Sequence, residues 1–308
     1  MLPCLIDKDF KALSNPRPCV LCLGNFDGVH TAHAMLAKEA KRLSEHLGVA
    51  AGVFCFTRPS GDYLSGQAPA HLTSTHQKLS LLFDAGAELA LVAPFPALRG
   101  LSAHEFIAFL QDFGCVGVVC GYDFRFGKGA GGNAQTLLSH FGDKRTVILP
   151  AQTWKDTRIS SSAVRDYLVN GQVDKAAHML GRPWSLCAKV RHGKHLGSSW
   201  GFPTANQLFS PQSVIPAYGV YAVRCTVDNQ TYDGVANVGV RPTVDGKGSC
   251  INCETYLFDF TGDLYGKVMT TAFYAFLRPE QKFTDADALR AAIAQDANRA
   301  RAYLTNLH

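Results

Sequence analysis

The chain has 308 residues, of which 47% are hydrophobic and 18% are charged, a globular balance that is long enough for two domains. Its net charge of +5 and the lack of a basic run disfavour nucleic acid as a partner and suit small anionic ligands. The charged N-terminus is unlike a signal peptide, and no apolar stretch reaches the roughly 18 residues of a membrane span, so we expect a cytoplasmic protein without a membrane partner.

The first predicted elements are a strand over Cys19–Leu23, a turn over Gly24–Gly28 and a helix over about Val29–Leu47. In α/β proteins, this succession presents the amides of a helix N-terminus to phosphate groups. On that helix His30 and His33 are three residues apart and share a face, where they can neutralise or hydrogen-bond a polyphosphate. The alternative is that one or both histidines cap or pack the first helical turn.

Strands and helices then alternate along the first half of the chain. Further strands are predicted at 49–56, 89–92, 116–120 and 146–149, and further helices at 76–85 and 133–140. Ser102 and Glu105 form a potential capping box before another helix. The alternation predicts a mostly parallel sheet with helices on both faces. The loops after Leu23, Phe56 and Cys120 follow strand ends, so we expect them to converge at the ligand-binding edge of the sheet.

Two helices end the first half. Hydroxyl side chains at Ser160–Ser162 precede the first of them and can cap it or, together with Arg165, bind a phosphate. The second helix, Val173–Leu180, ends at Gly181, a typical residue after a helix C-terminus. The chain is therefore predicted to divide into two domains, residues 1–182 and 183–308.

From Trp184 the pattern changes to strands separated by turns, which indicates an antiparallel β domain such as a small barrel. The predicted strands are 185–191, 219–227, 232–238, 250–258 and 268–277. An amphipathic helix closes the chain from about Asp285 to Leu304, with Thr284 as its potential cap. The residues predicted on its apolar side are Leu289, Ile293, Tyr303 and Leu304.

Ten cysteines raise the possibility of a metal site or disulfides. Cys19/Cys22 and Cys250/Cys253 have the spacing of metal ligands, but both pairs lie in strand-like segments. Residues three apart in a strand point to opposite faces, whereas zinc needs four converging ligands. We therefore expect buried, reduced thiols.

Motif-like segments occur along the whole chain. In the first half they are G-N-F-D-G-V-H-T-A-H (24–33), L-T-S-T-H-Q-K (72–78), L-S-A-H-E-F (101–106), G-Y-D-F-R-F-G (121–127) and I-S-S-S-A-V-R (159–165). In the second half they are W-G-F-P-T-A-N (200–206), Y-G-V-Y (218–221), G-V-A-N-V-G-V-R-P-T (234–243), E-T-Y-L-F-D-F (254–260) and F-L-R-P-E-Q-K-F (276–283). In this order they resemble the prokaryotic bifunctional riboflavin kinase/FAD synthetase family.

The resemblance implies a doubly wound α/β nucleotidyltransferase domain, followed by an all-β, six-stranded antiparallel barrel with a C-terminal helix. It also implies two reactions of a phosphorus-group transferase. The C-terminal domain would phosphorylate riboflavin to FMN with ATP, and the N-terminal domain would transfer AMP from a second ATP to FMN, giving FAD and pyrophosphate. The implied substrates are ATP, riboflavin and FMN, and the implied cofactor is Mg²⁺.

In the kinase half, the family's functional positions fall on identifiable residues. Glu254 matches the base that takes the proton from the ribityl 5′-hydroxyl, whereas without the resemblance it reads as a solvated strand residue. Thr204 and Asn206 match the positions that hold Mg²⁺ and the ATP phosphates, and Arg278 and Glu280 match flavin-side positions. The glycines that would let backbone approach the phosphates are Gly193, Gly197 and Gly201.

In the adenylyltransferase half, the resemblance implies that His30 and His33 stabilise charge on the α-phosphate. Asn25 would help fix the turn, and Asp123 would contact the nucleotide. The residues that would hold the triphosphate are Ser160, Ser161 and Arg165.

Two departures from the family pattern lie in this half. Ala32 replaces a glycine, which raises helix propensity by up to about 1 kcal/mol but crowds the nucleotide. Thr57–Ser60 replaces Glu-Pro-His-Pro, so the loop loses a carboxylate and a histidine and gains an arginine. These changes motivate one alternative, a riboflavin kinase whose N-terminal domain has weak or altered adenylyltransferase activity. Another alternative is a non-catalytic flavin- or nucleotide-binding regulator, which the intact Pro203–Asn206 run and Glu254 disfavour.

Overall fold

The structure, a computed structural model, describes residues 3–14, 16–58, 70–192, 203–242 and 249–307. The chain separates by its internal contacts into two compact units, residues 1–161 and residues 162–308. The predicted domain boundary after residue 182 stays a prediction.

The first unit is built on a six-stranded sheet with the order β1-β4-β3-β2-β5-β6. Its strands are β1 (Cys4–Asp7), β2 (Cys19–Leu23), β3 (Ala50–Phe56), β4 (Leu89–Ala93), β5 (Cys115–Gly121) and β6 (Thr146–Leu149). The helices with it are α1 (Thr31–Leu47), α2 (Thr75–Asp84), α3 (Phe95–Leu98), α4 (Ala103–Asp112) and α5 (Ala134–Phe141).

The sheet is doubly wound, as the sequence predicts. Strands β2 to β6 pair in parallel, whereas β1, which the sequence analysis missed, lies antiparallel to β4 at the edge. In chain order the parallel strands run third, second, first, fourth, fifth, so the strand order reverses between β2 and β5. Such a reversal opens a crevice outside the carboxyl ends of the strands, where ligands bind. The loops after Leu23, Phe56 and Cys120 follow three neighbouring strands at that edge, which confirms their predicted convergence.

Apolar clusters lie on both faces of this sheet. One contains Leu21, Phe54 and Leu110, and the other contains Val20 and Val53. The thiols of the first cysteine pair also divide between the faces, because Cys19 belongs to one cluster and Cys22 to the other. The two cysteines therefore point to opposite faces, as predicted.

Helix ends follow local capping chemistry. The predicted capping box of Ser102 and Glu105 is confirmed at the start of α4. Helix α1, however, begins two residues later than predicted, because Val29 has a positive φ of 42° and His30 is its extended N-cap. Thr284 was also the wrong choice of cap for the C-terminal helix, since the carboxylate of Asp285 accepts the hydrogen bond there.

The second unit is a curled six-stranded antiparallel sheet with the order β7-β12-β9-β10-β11-β8. Its strands are β7 (Trp184–Lys189), β8 (Thr204–Leu208), β9 (Gly219–Val227), β10 (Gln230–Pro242), β11 (Ser249–Leu257) and β12 (Val268–Pro279). The Arg191 N–H donates to Asn206 O at 2.8 Å and links the two edges of the sheet. The sequence pattern did not predict strand β8, because its inward-facing Gln207 breaks the alternation of apolar residues. The side-chain amide of Gln207 donates a hydrogen bond to Met269 O at 2.6 Å.

Three helices accompany the later part of the chain, α6 (Ser161–Val169), α7 (Val173–Leu180) and α8 (Ala286–Thr305). Helix α7 ends at Gly181, whose φ of 71° confirms the predicted C-terminal glycine. Helix α8 buries Ala297, Ala300 and Leu304 against the sheet. The prediction that Tyr303 shares this apolar side is wrong, since Tyr303 is exposed.

Candidate functional site

The turn between β2 and α1 lies beside the point where the strand order reverses. Its backbone enters the left-handed region at Phe26 (φ 53°), Gly28 (φ 80°) and Val29 (φ 42°). This region is strained for a β-branched residue such as Val29, and strained backbone persists only where its surroundings hold it. The surroundings of the turn therefore hold it in this conformation at the ligand-binding edge.

Asp27, which the sequence analysis did not assign to a role, holds this turn. Its buried carboxylate accepts hydrogen bonds from Leu72 N at 3.0 Å and from Thr73 N at 3.3 Å. The Gly28 N–H donates to Thr73 Oγ1 at 3.1 Å, and Ser161 Oγ donates to Asp27 O at 2.8 Å. The hydroxyl of Ser161 thus fixes the turn, in addition to the phosphate role that the resemblance implies.

The two predicted histidines lie together at the start of α1, although only His33 is part of the helix. His30 Nδ1 accepts the His33 N–H at 3.3 Å, and the imidazoles stack with 3.5 Å between their centroids. Burial, followed by the electrostatic influence of the neighbouring His30 and Lys78, holds the pKa of His33 well below its usual value of 6.5. His33 is therefore neutral, and its buried Nδ1 has no hydrogen-bond partner among the described residues. The alternative given by the sequence, that the histidines cap or pack the first helical turn, thus describes part of their role. His30 caps the helix, and His33 packs on it.

Lys78 is a buried cation at this edge that the sequence analysis quoted only within a motif. Its ammonium donates to Phe56 O at 2.7 Å and to Asn25 O at 3.4 Å, at the ends of β3 and β2. The backbone of Asn25 is therefore tied into the turn, as expected, while its side chain is exposed.

Asp123 follows β5, on the other side of the crevice. Its carboxylate forms an ion pair with Arg158, whose guanidinium lies 5.3 Å from the ring centre of Tyr122. The hydrogen bond to Asp123 raises the pKa of Arg158 above its usual value. Arg158 was not predicted as a site residue; only its place just before the hydroxyl run could have suggested it.

Ser160 is half-buried two residues further on, and Arg165 lies within α6, in the second unit.

In the second unit, one row of paired residues crosses five neighbouring strands. Asn206 pairs with Glu254, Glu254 with Asn237, Asn237 with Val220, and Val220 with Arg278. Directly paired residues of antiparallel strands project to the same face. Three residues predicted from distant motifs, Asn206, Glu254 and Arg278, therefore face the same side of the sheet.

This face borders a cavity of about 360 Å³. Its polar lining comes from the row and from neighbouring residues, and its apolar lining comes from the sheet and from α8. The lining includes Thr204, Glu254, Arg278, Glu280, Tyr256, Phe283, Leu289 and Ile293. A mostly apolar cleft with a few converging polar groups is the usual form of a small-molecule site.

Both predicted flavin-side residues already have protein partners. Arg278 makes a forked ion pair with the buried Asp296 of α8, with Nε and Nη2 at 3.0 and 2.7 Å from its carboxylate. Glu280 accepts a hydrogen bond from Asn237 Nδ2 at 3.2 Å and sits in the space above Gly239. Asp296 and Asn237 were not predicted as site residues, and their positions follow from pairing between distant elements.

A second cavity of about 210 Å³ shares Thr204 with the first. Its other lining residues come from the ends of β7 and β8 and from the segment after β11. They include Val190, Pro203, Leu257, Phe260, Asp263 and Tyr265. The predicted glycines Gly193, Gly197 and Gly201 lie outside the described residues, as does the loop from Pro59 onward.

Two family models match the chain, FAD synthetase over residues 12–163 and riboflavin kinase over residues 180–304. Several curated relatives carry the name bifunctional riboflavin kinase/FMN adenylyltransferase. The protein of Pseudomonas fluorescens is 36% identical over 302 residues, covering 95% of this chain and 96% of the relative. That of Escherichia coli (strain K12) is 35% identical, covering 92% of each chain, and that of Bacillus subtilis (strain 168) is 32% identical, covering 94% and 93%.

The fold is similar to that in a crystal structure of a macrolide-efflux protein from Streptococcus pneumoniae. The TM-score is 0.85 at 27% identity, and the match covers 96% of this chain and 97% of the other. In the part of this chain that the structure describes, none of the helices has the length and apolar character needed to cross a membrane.

Proposed function

The chain belongs to the bifunctional riboflavin kinase/FMN adenylyltransferase family, and we propose that residues 183–308 carry the kinase reaction and residues 1–182 the adenylyl transfer. The protein is a transferase that phosphorylates riboflavin to FMN with ATP and adenylylates FMN to FAD with a second ATP. We place both reactions in the cytoplasm.

The observation that carries the kinase assignment is the row that sets Glu254 between Asn206 and Asn237 at the 360 Å³ cavity. We assign Glu254 as the base that takes the proton of the ribityl 5′-hydroxyl. The hydroxyl oxygen then attacks the γ-phosphorus of ATP, and ADP leaves with the electrons of the broken bond. Phosphoryl transfer depends on positioning and charge stabilisation, which a base fixed beside the phosphate site supplies.

The oxygen groups around this row suit Mg²⁺. They are the hydroxyl of Thr204, the amide oxygen of Asn206 and the carboxylate of Glu254. No group of three or more histidine, cysteine, aspartate or glutamate side chains that could hold a metal occurs among the described residues. Mg²⁺ fits such a sparse oxygen set because it keeps several waters and is commonly held by one or two protein groups and substrate phosphates. Thr204 and Asn206 would hold the ion, which would neutralise phosphate charge when bound.

We assign each of the two cavities to one of the two kinase substrates. The larger one joins apolar residues, such as Val220 and Ile293, to the polar pair Arg278 and Glu280, a lining that suits a flavin ring with a polar edge. The smaller cavity meets it at Thr204 and would take the nucleoside part of ATP. The phosphates would then lie at the junction, beside Asn206 and Glu254.

For adenylyl transfer, we assign the crevice at the end of β2 and β5. The N-terminal end of α1 favours an anion, because the aligned peptide dipoles make the start of a helix partly positive. His30 and His33 would stabilise charge that develops on the α-phosphate, without a covalent intermediate. Asn25 and Asp123 would contact the nucleotide. The triphosphate would be held by Ser160 and Ser161.

The direct test is to incubate the protein with riboflavin, ATP and Mg²⁺ and to separate the flavins by chromatography. We expect FMN to appear first and FAD to follow. With FMN supplied in place of riboflavin, FAD should form without the kinase step. FMN without FAD would contradict the adenylyltransferase assignment, and the absence of both products would contradict both assignments.

A further inference from the structure

Asn252 joins two of the proposed kinase residues. It lies on β11 two residues before Glu254, so both side chains project to the same face of the strand. Its Nδ2 donates to Glu254 Oε1 at 2.9 Å and to Asn206 Oδ1 at 3.3 Å. The side chain is buried, with 3% of its surface exposed, and it belongs to none of the sequence motifs.

The donor and acceptor chemistry settles how this amide is oriented. An ionised carboxylate only accepts hydrogen bonds, so the NH₂ group of Asn252, rather than its carbonyl, must face Glu254. An amide nitrogen has two N–H bonds, and the second one points to Asn206 Oδ1. Asn206 in turn directs its own Nδ2 to Thr204 O at 3.4 Å. Asn252 therefore couples the orientation of the Glu254 carboxylate to that of the Asn206 amide.

Glu254 is held in this arrangement through one oxygen. This oxygen, Oε1, accepts the hydrogen bond from Asn252 Nδ2 at 2.9 Å, and Glu254 also lines the 360 Å³ cavity.

We propose that Asn252 is a positioning residue of the kinase reaction, which holds Glu254 by Oε1 and orients the amide of Asn206. The inference rests on the proposed role of Glu254 as the base. It differs from a packing role in a measurable way. A positioning role requires the two N–H groups, whereas a packing role requires only the volume of the side chain.

The test compares Asn252→Leu, which keeps the branched side chain of four heavy atoms but removes both donors, with Asn252→Ser, which keeps one donor. Riboflavin affinity is measured by fluorescence titration in the absence of ATP and Mg²⁺. We expect Asn252→Leu to lower the kcat of FMN formation roughly ten- to a hundredfold, with riboflavin affinity unchanged, since small misplacements of reacting groups have effects of this size. Asn252→Ser should fall between this variant and the parent.

The test has two controls, a second reaction of the same protein and a substitution at an exposed asparagine. FAD formation from supplied FMN should be unchanged in both variants, and Asn170→Ser, at an exposed asparagine on the end of α6, should leave both activities unchanged. A kcat within twofold of the parent in Asn252→Leu, or a loss confined to riboflavin affinity, would overturn the proposal. If Asn252→Leu no longer binds riboflavin, Asn252→Ser decides by the same criteria. Full activity of Glu254→Gln would instead overturn the role of Glu254, and the inference with it.

Discussion

The imidazoles of His30 and His33 stack at 3.5 Å and 14° to one another, and the first caps the helix on which the second lies. A cap whose side chain accepts a backbone N–H needs an unprotonated ring nitrogen, so His30 Nδ1 must carry a lone pair. The structure thus makes the pair part of the fold of the turn, and any catalytic use of these rings starts from that geometry.

The lowered pKa of His33 predicts a pH dependence of stability. Because the unfolded chain binds a proton at His33 more readily than the folded chain, stability should fall as the pH drops through about 6.5. In His33→Asn the melting temperature should depend less on pH between about 7.5 and 5.5. Calorimetry at both pH values checks this, with His140→Asn, at an exposed histidine, as the control. An unchanged pH dependence in His33→Asn would contradict the assignment.

Ala32 occupies the second position of α1, where a side chain stands next to the proposed phosphates. We expect Ala32→Gly to make FAD synthesis from FMN and ATP equal or faster, because the backbone becomes more accessible. The melting temperature should fall slightly, since glycine costs up to about 1 kcal/mol within a helix. Initial rates of FAD formation and thermal unfolding measure the two effects. A marked loss of rate would show that the methyl group helps rather than hinders the nucleotide.

Glu254 and Asn206 should be essential for one reaction and dispensable for the other. We expect Glu254→Gln and Asn206→Ala each to reduce FMN formation by at least about a hundredfold, the lower range for loss of a general base. FAD formation from supplied FMN should persist in both, and it serves as the internal control. Retained kinase activity in Glu254→Gln would exclude that carboxylate as the base.

Gly239 leaves the space in which the carboxylate of Glu280 lies, and a methyl group there would overlap Glu280 Oε1. In Gly239→Ala we expect Glu280 to swing away and the KM for riboflavin to rise, with a smaller change in kcat. Stability should change little, because the displaced atoms are the end of a flexible side chain. Gly100→Ala is the matched control, since a methyl group at Gly100 meets no atom within 4 Å. An unchanged KM would argue against a flavin contact at Glu280.

The ion pair of Arg278 and Asp296 ties β12 to α8 under the cavity. Asp296→Ala leaves a largely buried guanidinium without its partner, so we expect a loss of about 3–5 kcal/mol in the free energy of unfolding. Urea unfolding measures it. The exposed pair of Lys41 and Glu45 provides the comparison, and Glu45→Ala should change stability little. Similar losses in the two variants would mean that burial does not control the strength of these pairs.

Much of this protein follows from the sequence by itself. The strand Cys19–Leu23, the capping box of Ser102 and Glu105 and the end of α7 at Gly181 are local features, encoded by apolar periodicity and by residues that cap or terminate a helix. The alternation of strands and helices was enough for the doubly wound sheet, and the long kinase motifs pointed to Glu254 and Asn206.

Only the tertiary structure decided which side chains meet. Asn252 reaches Asn206 through the register of two strands whose residues are 46 positions apart, and Asp27 reaches Thr73 across the same separation. Arg278 finds Asp296 because α8 packs on β12. Such pairings depend on strand register and helix packing, which the whole fold sets, whereas periodicity and capping depend on neighbours within a few residues. The partners of these side chains could therefore not be predicted from the sequence.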